Sequence, residues 1–255
     1  ITLQRRTKDR LAVMSFFPTE NDALRYTASL KNAIGDGVLD VEAIEYFGRN
    51  ALRLLRESES IEMKIPDADS AVYTELATTD EAMEDAVMLL EEYLQCCHSS
   101  TEASWAGTDD NEVARMKEFR HAVPETINRI IGDTARRVPG LHKIATDLAV
   151  PESVMAEMLS YYRTELEQRE LPYVIFGHLG DNHLHVNMMP RDERELETSK
   201  EMYAKCAEKA VELGGTVAAE HGIGKLKKPF LLSLFGPDGV DEMRRVKDAL
   251  DAEHI

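Results

Sequence analysis

Apolar residues along the chain come in two rhythms. Unbroken or alternating short runs read as strands, and longer stretches with apolar positions three and four apart read as helices. Leu11–Phe17 is the first strand, and Pro18-Thr19-Glu20-Asn21-Asp22 starts a helix that runs to about Ala33. Val41–Tyr46 is a second strand, Arg49–Arg56 a short helix and Ala71–Ala77 a third strand. Thr79-Asp80-Glu81 caps a helix to about Cys97, with Ala82, Ala86, Leu89, Leu90 and Leu94 at helical spacing. The stretch Asp109–Arg137 is helical in pattern, with Pro124 expected to kink or split it. An extended piece, His142–Val150, leads to a helix that starts at Pro151-Glu152-Ser153 and ends near Glu170. Strand Tyr173–Gly177, a tight turn, strand Leu184–Met189, helix Glu193–Leu213, strand Thr216–Ala219 and further helix complete the chain. A strand-helix-strand block thus appears before residue 100 and again after residue 140. This predicts an α+β architecture used twice, although no sequence repeat is visible.

The 255 residues are enough to bury a core without disulfides. Thirty basic against 47 acidic residues give a net charge of −17, the wrong sign for a nucleic-acid backbone, so no nucleic-acid partner is expected. No run approaches the ~20 apolar residues of a membrane span. The three cysteines, Cys96, Cys97 and Cys206, form no CxxC pair and match no disulfide framework or zinc knuckle, which points to a reducing, cytoplasmic compartment. The chain opens on Ile1 and stops just after a helical pattern at Val246–Ile255, so a piece of a longer protein is expected.

Candidate chemistry concentrates in two segments. Gly177-His178-Leu179-Gly180-Asp181-Asn182-His183-Leu184-His185-Val186-Asn187 holds three of the eight histidines. Taken as a hairpin with its two-residue turn at Asp181-Asn182, it pairs His178 with His185 on one face. Two imidazoles so placed can share a divalent ion, about 2.0–2.1 Å from each nitrogen when the ion is zinc. Period-two alternation adds His183 and Asn187 to that face and leaves Leu179, Leu184 and Val186 on the other. A solvated hairpin with idle histidines is the alternative.

The second segment, Gly214-Gly215-Thr216-Val217-Ala218-Ala219-Glu220-His221-Gly222-Ile223-Gly224-Lys225, sets an acid and a base at the end of a small-residue strand. Glu220 is the expected carboxylate ligand beside two imidazoles, and His221, pointing elsewhere, is placed as a base. A surface Glu-His pair before a glycine turn is the competing reading, and the GxxxxGK[ST] phosphate-loop spacing is absent. Arg115, Arg120, Lys143, Lys225, Lys227 and Lys228 are the basic residues available to hold an anion, and spacing selects none of them.

Together the two segments resemble the signature pair of the C-terminal, substrate-binding domain of FAD-linked oxidases. This is the group of the D-lactate, glycolate and D-2-hydroxyglutarate dehydrogenases, of the vanillyl-alcohol oxidase type. The family pattern G-H-x-G-D-G-N-x-H-x-N stands here as Gly177–Asn187, and G-G-x-x-x-x-E-H-G-I-G-x-x-K as Gly214–Lys227. Further matching stretches are Val41–Tyr46, Phe119–Glu125, Asp147–Pro151 and Val246–Asp251. The expected fold is α+β: duplicated ferredoxin-like βαβ units forming an antiparallel sheet with helices packed on one face. The resemblance implies His178, His185 and Glu220 as ligands of a divalent metal (zinc or manganese), His221 as the active-site base, and Asn187 and Arg120 as substrate contacts. It implies FAD, with His183, Gly222 and Gly224 as candidate contacts to it. Asn182-His183 stands where Gly-Asn is usual, so His183 has three readings: substrate, flavin or turn. Lys143 lies two positions from the family's substrate lysine.

The resemblance further implies that residues 1–255 form the substrate and cap domain of a flavoenzyme. Its FAD-binding domain would precede Ile1, and the extreme C-terminus would be cut. The whole would oxidise a small 2-hydroxy acid to the keto acid and pass electrons to an unidentified acceptor, as a homodimer and with peripheral membrane association through that acceptor. A stand-alone zinc hydrolase using His178, His185 and Glu220, and a non-catalytic module binding a partner through its sheet, are the competing expectations.

Overall fold

The computed structural model describes residues 9–58, 63–225, 227–251 and 253. Ile1–Arg6, whose alternating sequence reads as a strand, lies outside the described residues.

Strand β1 (Asp9–Phe17), helix α1 (Glu20–Gly35), strand β2 (Asp40–Gly48), helix α2 (Arg49–Arg56), strand β3 (Ser70–Thr78), helix α3 (Asp80–Cys96) and strand β4 (Trp105–Gly107) form the first half. The long helix α4 (Asp110–Arg137) leads to the second. There β5 (Ile144–Ala145) and β6 (Leu148–Ala149) precede α5 (Met155–Gln168), β7 (Tyr173–Gly177), β8 (His183–Met188), α6 (Glu193–Glu212) and α7 (Lys228–Leu250). The strands join in one antiparallel sheet, ordered β4-β1-β3-β2-β7-β8-β5, with β6 also on β8.

That order contains the expected duplication. In the first half β1-α1-β2-β3-α3-β4 assembles as 4-1-3-2, the order of a ferredoxin-like unit. In the second, β7, β8 and β5/β6 repeat it as strands two, three and one. The fourth strand, expected over Thr216–Ala219, is reduced to a single bridge between Thr216 and Ala149. Ala219 N donates to Asp147 O at 3.1 Å, so the chain still follows that edge without forming a ladder. The two units meet where β2 pairs with β7, Tyr46 opposite Gly177 and Phe47 opposite Phe176.

The helices of the two repeats, α1, α3, α5 and α6, do share one face of the sheet, where Tyr26, Leu90, Tyr162 and Cys206 join one core cluster with Leu11, Val13 and Phe17 of β1, Ile175 of β7 and Val186 of β8. The other face is not bare, however. Alternation along β1 turns Ala12, Met14 and Phe16 toward α2 and α4, which contribute Leu52, Leu55, Met116 and Phe119. Helices therefore cover both faces, and the expectation of one covered face is corrected. The reason is that β1 and β3 are apolar on both sides, which a sheet with one solvated face does not require.

Pro124 neither kinks α4 apart nor ends it; the helix runs unbroken through 28 residues. Asp109 caps it by accepting from the backbone N–H of Asn111 and Glu112. Phe119 then pins it, fully buried with Phe47 and Trp105 at ring-centroid distances of 5.4 Å each. Burying such a ring contributes about 1.5–3 kcal/mol, which offsets part of the roughly 3 kcal/mol that a proline costs inside a helix.

Candidate active site

The hairpin carrying the first motif does not close as its sequence suggested. His185 lies opposite Phe176 rather than His178, and residues 178–182 form a longer connection. His178 O accepts from the N–H of both Asp181 and His183, and Asn182 takes the left-handed conformation at φ +54°. Gly177 precedes this loop at φ +138°, where a Cβ would stand 3.1 Å from His183 O and His185 N. The backbone thus crosses close over β8, and this crossing brings His178 beside His185 from a loop instead of a ladder.

Three acceptors meet there. His185 Nδ1 lies 3.1 Å from the carbonyl oxygen of Thr146, and His178 Nδ1 lies 3.0 Å from Glu45 Oε1. With those nitrogens donating, each ring turns its Nε2 to Glu220, at 3.0 Å from His185 and 3.5 Å from His178. An imidazole that donates through Nδ1 offers a lone pair at Nε2 when neutral. Burial pushes the His185 pKa down, while the hydrogen bond to Glu45 pushes that of His178 up. Glu220 is held below the usual carboxylate range, because the surrounding imidazoles outweigh its desolvation. Two ring nitrogens and a carboxylate that face one another need a cation between them, a proton or a metal. Nδ1 partners of this kind, a carboxylate and a carbonyl, are those that orient metal-ligating histidines. The residues therefore fit a divalent ion.

His183 sits deeper. It is 3% exposed, its ring centroid lies 4.4 Å from that of His185, and burial lowers its pKa to about 4. Gly222 and Gly224 are exposed, at φ +67° and +53°, with nothing within 4 Å of where a Cβ would stand. His221 does not point away from Glu220; its Nε2 lies 3.0 Å from Glu220 Oε1 at the solvent-exposed mouth of the cluster. Glu220 itself is carried by a bend, not by a strand. Asn187 is buried one pleat beyond His185 on the same face, between Val174 of β7 and Ala145 of β5.

Arg120 reaches this face from α4, one residue after the Phe119 anchor. Its Nη2 lies 2.6 Å from the same Glu45 oxygen that accepts from His178. Arg120, His121, Pro124, Phe176, His178 and His185 line a cleft of about 170 Å³ floored by Glu45. Of the other basic candidates, Lys143 Nζ donates to Asn128 Oδ1 at 2.9 Å, and Lys227 is buried against Asp147. Arg115, Lys225 and Lys228 are exposed.

Glu45 and Asp147 belong to the cluster, although neither lies in the two motifs. Asp147 Oδ1 accepts from Glu220 N and Oδ2 from His221 N, each at 3.1 Å, so it fixes the bend that presents both side chains. Glu45 is the charged residue within the buried run Ile44–Gly48 of β2, and such a residue is buried only with partners.

Comparison with known proteins gives the family. The family of FAD linked oxidases, C-terminal domain, matches residues 6–255. The chain belongs to it. Among curated relatives, the glycolate oxidase subunit GlcD of Bacillus subtilis is 32% identical over 56% of this chain and 31% of its own length. The mitochondrial D-lactate dehydrogenase [cytochrome] of Kluyveromyces lactis is 26% identical over 98% of this chain and 42% of its own. The D-2-hydroxyglutarate dehydrogenase of Xanthomonas citri is 26% identical over 84% and 44%. The chain thus spans less than half the length of these relatives. Among solved structures, p-cresol methylhydroxylase superposes with a TM-score of 0.62 at 10% identity, over 95% of this chain and 50% of that one. The 4-ethylphenol oxidase of Gulosibacter chungangensis gives 0.60 at 14%, over 99% and 53%. At those identities the structures establish the fold of this family member and nothing finer. Among the described residues no helix is long and apolar enough to cross a membrane.

Proposed function

We propose that this chain is the substrate-binding domain of a flavin-dependent oxidoreductase that oxidises a small D-2-hydroxy acid to the 2-keto acid. FAD would be held by another segment of the same polypeptide. The single observation behind this is the convergence of His178 Nε2, His185 Nε2 and the Glu220 carboxylate beside Arg120. A cleft of about 170 Å³ suits a substrate of a few heavy atoms, below the roughly 300–1,000 Å³ of drug-sized pockets. The three relatives named above act, by their names, on glycolate, D-lactate and D-2-hydroxyglutarate, and each of these is a 2-hydroxy acid.

In this reading Arg120 keeps one Nη on Glu45 and offers its remaining N–H groups to the substrate carboxylate, which orients the C2–H bond. His221 takes the hydroxyl proton, and its exposed ring lets that proton leave to solvent. Asn187 holds the substrate from the neighbouring pleat. Bound FAD supplies the hydride acceptor, and a divalent ion held by His178, His185 and Glu220 supplies a Lewis acid for the hydroxyl. The electron acceptor, homodimer formation and a cytoplasmic location, peripheral to a membrane through that acceptor, belong to the same reading. None of the relatives named above is a hydrolase, and no observation favours the stand-alone zinc hydrolase.

The test uses the full-length, flavin-loaded protein and a panel of 2-hydroxy acids. His221→Ala is expected to lower kcat by roughly 10²–10⁴ with little change in KM. Arg120→Lys, which loses the planar fork, is expected to raise KM. Turnover of no 2-hydroxy acid, or an unchanged rate in His221→Ala, would remove the proposal.

A further inference from the structure

His183 has no role in the reaction proposed above, yet it is built into the same cluster. Its Nε2 is buried without a hydrogen-bond partner. Asp147 Oδ1 stands 3.1 Å away, but out of hydrogen-bond alignment. Both Asp147 oxygens are already engaged, Oδ1 by Glu220 N and Oδ2 by His221 N and Lys227 Nζ. A buried ring nitrogen left unpaired costs about 1–3 kcal/mol, which a sequence does not carry without a use. Nitrogens of His178, His183 and His185 and an oxygen of Glu220 all lie within 4.8 Å of one another. Ligand atoms of a tetrahedral zinc ion, each about 2.0–2.1 Å from the metal, are separated by roughly 3.3 Å, so modest side-chain rotation closes the set. Glu220, 41% exposed, and His178, in its loop, are the members free to move. His183 is fixed by burial and supplies the rigid wall.

We propose that His183 is a fourth protein ligand, making a three-imidazole, one-carboxylate centre that selects zinc over manganese. The proposal rests on the reading that this site holds a divalent metal. Each added imidazole favours zinc, whereas manganese prefers carboxylate, carbonyl and water oxygens. By the family resemblance, His183 stands where asparagine is usual. An asparagine amide there would offer a neutral oxygen in place of a ring nitrogen.

The experiment takes the full-length protein stripped of metal by a chelator and reloaded with zinc or manganese. X-ray absorption at the zinc edge is expected to count three imidazoles in the unmutated protein. Competition with a chromophoric chelator should show His183→Asn binding zinc on the order of 100-fold more weakly, with manganese affinity nearly unchanged. A zinc centre with two imidazoles, or His183→Asn with the zinc affinity of the parent, would overturn the role of His183 and leave the metal reading standing. Failure of the unmutated protein to bind either ion would overturn both. Because the absorption measurement needs no variant, poor folding of His183→Asn does not blunt the test.

Discussion

Glu45 is the residue on which the two halves of the proposed chemistry meet. One oxygen accepts from His178 Nδ1 at 3.0 Å and lies 2.6 Å from Arg120 Nη2, so a single carboxylate sets both the ring proposed to bind the metal and the guanidinium proposed to bind the substrate. It acts through these neighbours and is a positioning residue. Glu45→Gln keeps the shape but removes the charge and puts an amide in place of one acceptor oxygen. Metal affinity, read by zinc titration, is expected to fall about 10–100-fold, and KM for the hydroxy acid to rise while kcat changes less. An unchanged zinc affinity would show that His178 is oriented without it. The importance of Glu45 could not be read from spacing, because its partners lie 75 and 133 residues away. The histidines were legible because three fall within eight residues. Their partners were not, since a hydrogen bond to Thr146 O or a cap from Asp147 leaves no periodic trace.

At the scale of elements, the sequence located strands and helices well where a single apolar face or a cap defined them, as in α1, α2 and β7. It failed where backbone geometry decided. The period-two pattern of β8 correctly put His183, His185 and Asn187 on one face. A turn centred on Asp181-Asn182, however, would have left Gly177 in an ordinary strand conformation, whereas it stands at φ +138° under His183 O and His185 N. Gly177→Ala tests this directly. The left-handed region and the 3.1 Å contacts together should cost about 1–3 kcal/mol, measured by denaturant unfolding, with loss of zinc binding as β7 and β8 shift. A fully stable, metal-binding variant would mean that the loop tolerates another path. The start of α1 offers a second test. Thr19 Oγ1 accepts from Asp22 N and donates to Asp22 Oδ2 at 2.6 Å, and Arg25 and His98 also bind the Asp22 carboxylate. Desolvation alone would raise its pKa, but these donors together hold it below its usual value of 3.8. A carboxyl depressed on folding stabilises the protein above its unfolded pKa, and the contribution disappears as pH falls through the folded value. Asp22→Asn should therefore cost about 1 kcal/mol at neutral pH, and the difference should close in acid, below the usual carboxyl range. A pH-independent difference would assign the loss to packing.

For the whole molecule, the important fact is that the cluster lies across the junction of the two repeats. Glu45 belongs to the first unit, Arg120 to the helix between them, and His178, His185 and Glu220 to the second. The pairing of β2 with β7 is short, with Tyr46 and Phe47 opposite Gly177 and Phe176. An ion at the cluster would therefore tie the Glu220 bend to the hairpin and, through His178 and Glu45, to the first unit. It would also replace the mutual repulsion of lone pairs and carboxylate, in a molecule whose net charge of −17 already opposes compaction. Because the unfolded chain cannot assemble these ligands, binding free energy becomes folding free energy, about 2.7 kcal/mol at a hundredfold excess of free ion over Kd. In a chain of this length each kcal/mol shifts the melting temperature by about 2–4 °C, so zinc should raise it by roughly 5–10 °C. The rise should reverse with a chelator and be missing in Glu220→Gln, whose neutral amide removes the one anionic ligand of the cluster. Should Glu220→Gln respond to zinc as the parent does, the stabilising ion would be bound elsewhere, and the junction would owe nothing to the histidine cluster.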